Sequence, residues 1–276
     1  MREFLTPFVL ALVTLLCAFS ASGAHGQSLA ISPAFVDAMV KRGATYNKVY
    51  TIANNTGTRL RFRFSVGDYW YDEHNSRVDG RAGTLPHSAS PWVQFSPTEV
   101  IIEPQSSSTV TAIITVPQTA AGGYYTTPIF EAEAADGPAA RTASNGAITA
   151  SIALRFCGLL MLTTEDATEY NVEIMGGSTT PPSVSAPLEV QLDVRNRSTT
   201  HARVRGVFAV LNSTGGLAGR GKIDEKRYLP GQREALKAPW AGELAPGHYT
   251  ALVTLSYDRG SLGPATLVFE MPFDVK

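Results

Sequence analysis

From Leu29 onward the chain alternates apolar and polar residues in short runs, separated by clusters of Gly, Pro, Asn, Asp and Ser. Leu60, Phe62, Phe64 and Val66 alternate with Arg61, Arg63 and Ser65. A period of two sends successive side chains to opposite faces, so this run predicts a strand with one buried and one wetted face. Val110, Ala112, Ile114 and Val116 repeat the pattern, as do Ile148, Ala150, Ile152, Leu154 and Phe156. Seven such runs fit between Leu29 and Thr163, the count of one immunoglobulin-like sandwich. A second set starts near Tyr170 and runs through Leu188–Val194, Val204–Val210 and Tyr249–Tyr257 to Leu267–Phe273. Helical periodicity is nearly absent. The pattern predicts an all-β chain of two tandem immunoglobulin-like antiparallel β-sandwich domains, over residues 27–165 and 166–276. The stretch from Gly176 to Pro187 is poor in core-forming residues and reads as a loop.

Two local similarities support the duplication. Asn54-Asn55-Thr56-Gly57-Thr58 resembles Asn196-Arg197-Ser198-Thr199-Thr200, and Gly123-Tyr124-Tyr125-Thr126 resembles Gly247-His248-Tyr249-Thr250. The first pair predicts turns whose side chains satisfy backbone groups between two strands. The second predicts a tight turn before a strand, with a tyrosine packed across the corner. Both features are structural.

The first residues change the compartment. Arg2, the apolar run from Phe4 to Phe19 and the small residues after it form the pattern of a secretory signal peptide over residues 1–26, with cleavage expected after Ala24 or Gly26. Leu16 before Cys17 argues against lipidation. About 250 residues then remain, with no further apolar segment long enough to span a membrane. A formal net charge of −1 gives no electrostatic case for nucleic acid. Cys157 becomes the one cysteine of the mature chain, so no intramolecular disulfide is available and packing alone must hold the domains. Its setting in IALRFCGLLML predicts a buried, inert thiol.

Catalytic signatures are absent: there is no G-x-S-x-G, H-E-x-x-H, phosphate-binding loop or dinucleotide fingerprint. His74, His87, His201 and His248 are isolated in sequence and read as surface or loop residues. Asp72, Glu73, Asn75 and Asp79 lack the spacing of a calcium loop. No catalytic residue, metal or cofactor is assigned. In the trio Tyr69-Trp70-Tyr71, Trp70 reads as core and its two neighbours as outward-facing.

ISPAFV at 31–36, VYTIANNTGTRLRFRF, WVQFSPTEVIIEPQSSSTVTAIITVP and GGYYTTPIFEAE occur in this order. That order resembles the N-terminal immunoglobulin-like domain of bacterial periplasmic chaperones of the pilus-assembly type. It is also similar to such domains in bacterial surface proteins of the WxL class. The chaperone resemblance covers roughly residues 29–163. It implies a periplasmic, non-enzymatic assembly protein that binds an exported subunit or envelope protein by strand addition. The strand it implies carries Ile148, Ile152, Leu154, Arg155 and Phe156. These chaperones hold a client carboxylate with an Arg in the first strand and a Lys in the last. Here residues 29–39 contain no basic residue, and Ala153 stands where the Lys would be. A cell-surface or extracellular structural or adhesion module is the other reading of the same pattern.

Overall fold

The computed structural model describes residues 28–136, 153–183 and 186–276. The expected signal peptide and residues Ile148 and Ile152 lie outside the described residues. The rest is all-β: two sandwiches, each around its own apolar core.

The first sandwich is built from β1 (Leu29–Ser32), β2 (Phe35–Val40), β3 (Thr45–Asn54), β4 (Leu60–Tyr71), β5 (Arg77–Arg81), β6 (Val93–Ser96), β7 (Glu99–Ile102), β8 (Ser106–Thr115), β9 (Gly123–Ala134), β10 (Leu154–Cys157) and β11 (Leu159–Thr164). One sheet has the order β1-β3-β8-β6. The other has β2-β11-β9-β4-β5, with β7 on β4 and β10 on β9. β1 and β2 are halves of one strand that changes sheet at Pro33, and β10 and β11 are halves of another interrupted at Gly158. With those halves joined, and the short β5 and β7 set aside as additions to β4, the seven expected strands remain. β2 runs parallel to β11, an exception to the otherwise antiparallel pairing.

The alternation in sequence carries through to burial. Val110, Ala112, Ile114 and Val116 are all buried, while Arg63 and Ser65 between the buried or half-buried residues of β4 are exposed. With no disulfide to bridge the sheets, aromatic rings fill the centre. Tyr50 packs on Phe130 at 5.3 Å between ring centroids, and Phe64 on Phe95 at 5.7 Å. Tilted contacts at these distances suit the ring quadrupoles and bury large areas.

The second sandwich comprises β12 (Val172–Thr180), β13 (Leu188–Asn196), β14 (Ala202–Asn212), β15 (Leu217–Tyr228), β16 (Arg233–Trp240), β17 (Gly247–Tyr257) and β18 (Ala265–Val275). Its sheets have the orders β12-β13-β16 and β15-β14-β17-β18. Part of the expected loop is strand: Gly176 to Thr180 belong to β12. The glycines that suggested a loop serve packing instead. A bulge between Ile174 and Gly176 shifts the register. A Cβ on Gly177 would lie 2.6 Å from the Met271 sulfur and 2.9 Å from Leu192, so only glycine lets β12 approach the facing sheet.

The repeated turn does the same work twice. Asn54 is fully buried; its Nδ2 donates to the carbonyls of Thr58 and Ile102, and its Oδ1 accepts from the Thr56 amide. Asn196, also fully buried, donates to the carbonyls of Thr200 and Tyr228 and accepts from the Ser198 amide. Each amide ties the end of one strand to the end of another. Removing it takes away a side-chain donor that joins carbonyls of two strand ends and leaves a buried gap in its place. Asn196→Ala is expected to lower the stability of the second sandwich by about 2 kcal/mol, read as a lower denaturant midpoint with an unchanged slope. Asn54→Ala should do the same in the first.

Candidate functional site

Two places combine geometry with chemistry: the seam between the sandwiches and the open strand edge at β10.

The seam is built around a small apolar cluster of Tyr69, Tyr125, Met161 and Leu229, all nearly fully buried. Three of these come from the first sandwich and Leu229 from the second. This corrects the reading of the aromatic trio. Tyr69 is the buried member, 2% exposed, whereas Trp70 and Tyr71 are half-buried. The end of β4 runs past its own core, and Tyr69, of the parity opposite to core residues Phe62 and Phe64, faces the neighbouring sandwich. Trp70, on the opposite face, stacks on His87 with the rings 5.4 Å apart and nearly coplanar. The loop carrying His87 is held by Asp68, whose carboxylate accepts from the amides of Thr84 and Leu85 and the hydroxyls of Ser88 and Ser90. Burial alone would raise that carboxyl; hydrogen bonds led by those from the Leu85 amide and the Ser88 and Ser90 hydroxyls hold it below the usual range.

The two similar glycine-tyrosine corners part company here. In the second sandwich Tyr249 Oη donates to the Ala245 carbonyl at 2.9 Å, closing its corner. In the first, the hydroxyl of Tyr124 accepts from the Ala121 amide, and Tyr125 is released to the seam. The Gly123 amide donates to the Thr199 carbonyl at 2.9 Å. Gly122 sits at φ +85°, where a Cβ would lie 2.6 Å from that same carbonyl. Two glycines thus let the turn of one sandwich seat against the corner of the other.

A histidine–carboxylate contact closes the seam. His201 Nε2 lies 3.2 Å from Asp37 Oδ1, and its ring meets Tyr125 edge-on at 5.8 Å. His201 is a loop residue, as expected, but it does not lie at the surface: it is almost fully buried. It follows Thr200 at the end of the docked turn, a tertiary placement that sequence isolation does not reveal. Burial would raise the Asp37 carboxyl, but the hydrogen bond and charge of His201, with Arg203 and Arg227 further off, hold it below the usual range. Arg227 also lies over the Phe35 ring at 4.6 Å. Beside this pair opens a cleft of about 550 Å³ lined by Asp37, Met39, Thr163, Tyr170, Arg203 and Asp258 among others. Arg203 is bound to Asp258 at 3.0 Å, so the lining offers no unpaired cation among the described residues.

At the open edge, β10 pairs antiparallel with β9, placing Leu154 opposite Ala132 and Phe156 opposite Phe130. Those partners are core residues, so Leu154 and Phe156 share the core face. Phe156 packs on the core, but Leu154 reaches past its rim and is 48% exposed. Arg155 points the other way, 3.6 Å from Glu131 in an exposed pair of small worth. Cys157 is also exposed, against the expectation of a buried thiol. The apolar run around it is core only from Leu160 onward; Cys157 ends β10 on the outer face. β11 is covered on its outer side by β2. Among the described residues β10 has β9 on one side and no strand on the other.

No family model matches the chain, and no curated protein matches it in sequence. In fold it is similar to solved pilus-assembly chaperones. The class 5 fimbriae chaperone CfaA is 11% identical over 87% of this chain and 98% of its own, with a TM-score of 0.45. The E. coli chaperone DraB is 11% identical over 91% and 98%, with a TM-score of 0.41. A chain of the Salmonella enterica SafA pilin–SafB chaperone complex is 12% identical over 90% and 97%, also at 0.41. Among the described residues no helix is long and apolar enough to cross a membrane.

The seam generates an acid dependence. Because the folded pKa of Asp37 lies below its unfolded value of about 3.9, its contribution is complete above that value and is lost as pH falls through the folded pKa. Unfolding free energies measured from neutral pH down to about pH 2 should fall in that acid window, and Asp37→Asn should flatten that part of the profile. Gly122→Ala should destabilise the seam by about 1–3 kcal/mol, seen as loss of cooperativity between the two sandwiches in calorimetry.

Proposed function

We propose that this chain is an exported, non-enzymatic, chaperone-like assembly protein, working in the periplasm, that captures a protein partner by strand addition. The partner is an exported subunit or envelope protein. The proposal takes residues 1–26 as a signal peptide, 27–165 as the domain that carries the binding strand and 166–276 as the second domain. The capturing element is the strand carrying Ile148, Ile152, Leu154, Arg155 and Phe156.

One observation carries this reading: β10 has an unpaired outer edge among the described residues, with Leu154 48% exposed on the core face. An open edge supplies a row of backbone donors and acceptors, and every second side chain is free to enter a partner's groove. The interruption at Gly158 supports it further, because β2 covers the strand only beyond that point. The charge pairing in the interdomain cleft argues against capture of a carboxylate there. Affinity then rests on the strand and its alternating apolar side chains.

The test is Leu154→Arg in the full chain, expressed with a C-terminal tag in its native host. A position this exposed tolerates the change, so the unfolding midpoint should move by less than about 1 kcal/mol. The stoichiometric partner that copurifies with the wild type from the soluble periplasmic fraction should be lost. Capture unchanged in a folded variant rules the strand out as the binding element. A variant that fails to fold assigns Leu154 to the core and overturns the reading of an open rim.

A further inference from the structure

The three most exposed large apolar side chains among the described residues are Leu217 at 63%, Val268 at 60% and Val207 at 55%. All three lie in the sheet β15-β14-β17-β18, on its outward face, away from the core of the second sandwich. The pairing register lays this face out in rows across the four strands. One row reads Lys222, Val207, Thr254, Val268 and the next Arg220, Ala209, Leu252, Glu270. A third reads Leu217, Leu211, Thr250, Pro272. Apolar groups occupy the middle, bases one edge strand and an acid the other.

Arg220 and Glu270 end the same row on opposite edges, both exposed. Neither makes an ion pair or a side-chain hydrogen bond among the described residues, although most arginines of the chain do. They cannot reach each other within one chain, since three strand spacings of about 4.8 Å separate them.

We propose that this face is the interface of a two-fold dimer of the chain. A two-fold axis lying in the interface along the strands sets β18 of one copy over β15 of the other. Arg220 then meets Glu270 of the second copy at both edges, Ala209 meets Leu252, and the stem of Lys222 covers Val268. An axis across the strands would instead oppose Arg220 to Arg220, so the charges select the first arrangement. Two twisted sheets packed face to face cross at about 30°, which makes the Arg220–Glu270 row the natural crossing point. Nine residues by four strands give a face of about 600 Å² per copy, at the small end of specific interfaces, so the dimer should be reversible. It leaves β10, in the first sandwich, free on both copies.

The mature chain is tested by sedimentation velocity from about 1 to 200 µM, at low and high salt. A reversible monomer–dimer equilibrium that weakens with salt is expected. Val268→Glu should leave only monomer. Arg220→Glu and Glu270→Arg should each raise the dissociation constant about tenfold or more, and the double reversal should bring it back close to the wild-type value. All three positions are exposed, and circular dichroism checks that each variant is folded. A chain that stays monomeric throughout overturns the proposal. So does a dimer indifferent to the reversals, or one not restored by combining them. A dimer lost in Leu154→Arg and kept in the reversals would lie on the β10 edge, and would overturn it equally.

Discussion

The edge of β9 is the constraint on which the rest of the molecule turns. Its backbone groups lie in the middle of the larger sheet of the first sandwich, where an unpaired amide or carbonyl costs the full desolvation penalty. Two tandem strands, β11 and β10, cover that edge, Leu160–Thr163 opposite Gly123–Thr126 and Leu154–Cys157 opposite Ile129–Ala132. Gly158 joins them outside the two registers, yet its amide still donates to the Pro128 carbonyl of β9. Closure of β9 opens the same question one strand further out. β2 answers it for β11 by crossing from the other sheet and running parallel to it. For β10 nothing among the described residues answers it, and that asymmetry leaves its outer edge open.

The seam between the sandwiches follows from the same strands. Met161 lies in β11 between Leu160 and Leu162, which are core, so the side chain of opposite parity must face elsewhere. Tyr125 in β9 and Tyr69 in β4 do likewise, and the three meet Leu229 of the second sandwich. A strand that fills one core with its even positions can line a second contact with its odd ones. The glycine pair at 122–123 then admits the Thr199 turn, and Asp37 with His201 fixes the approach by a directional, nearly buried pair. Apolar burial supplies the attraction here and the polar contacts supply the register.

Exposure has different meanings at the two apolar surfaces. Leu154 is exposed because its strand runs beyond the rim of a sandwich whose core it otherwise joins. Val207, Leu217 and Val268 are exposed because they lie on the outward face of a sheet, beyond the charged end that carries Arg203 and Arg205. The first presents backbone and alternating side chains, the second presents side chains alone. They suit different partners, and they sit on different sandwiches.

Much of the architecture was legible in the chain itself. Period-two alternation in β4, β8, β13, β14, β17 and β18, the twin asparagine turns and the two glycine-tyrosine corners are local signals, and each sits where its own chemistry puts it. The alternation also made Leu154 and Phe156 partners on one face. What stayed hidden depended on contacts between residues far apart in sequence. Cys157 in its apolar run, Trp70 between two tyrosines, and glycines 176 and 177 all carry local patterns that point the wrong way. Each is decided by what lies across a strand pair or a seam. His201 and Asp37, separated by 164 positions, have no sequence signal that joins them. Sequence by itself determined which side chains share a face, because the strand period is a property of the backbone. Only the tertiary structure decided which faces are covered, because burial belongs to pairs of surfaces and no single strand contains both.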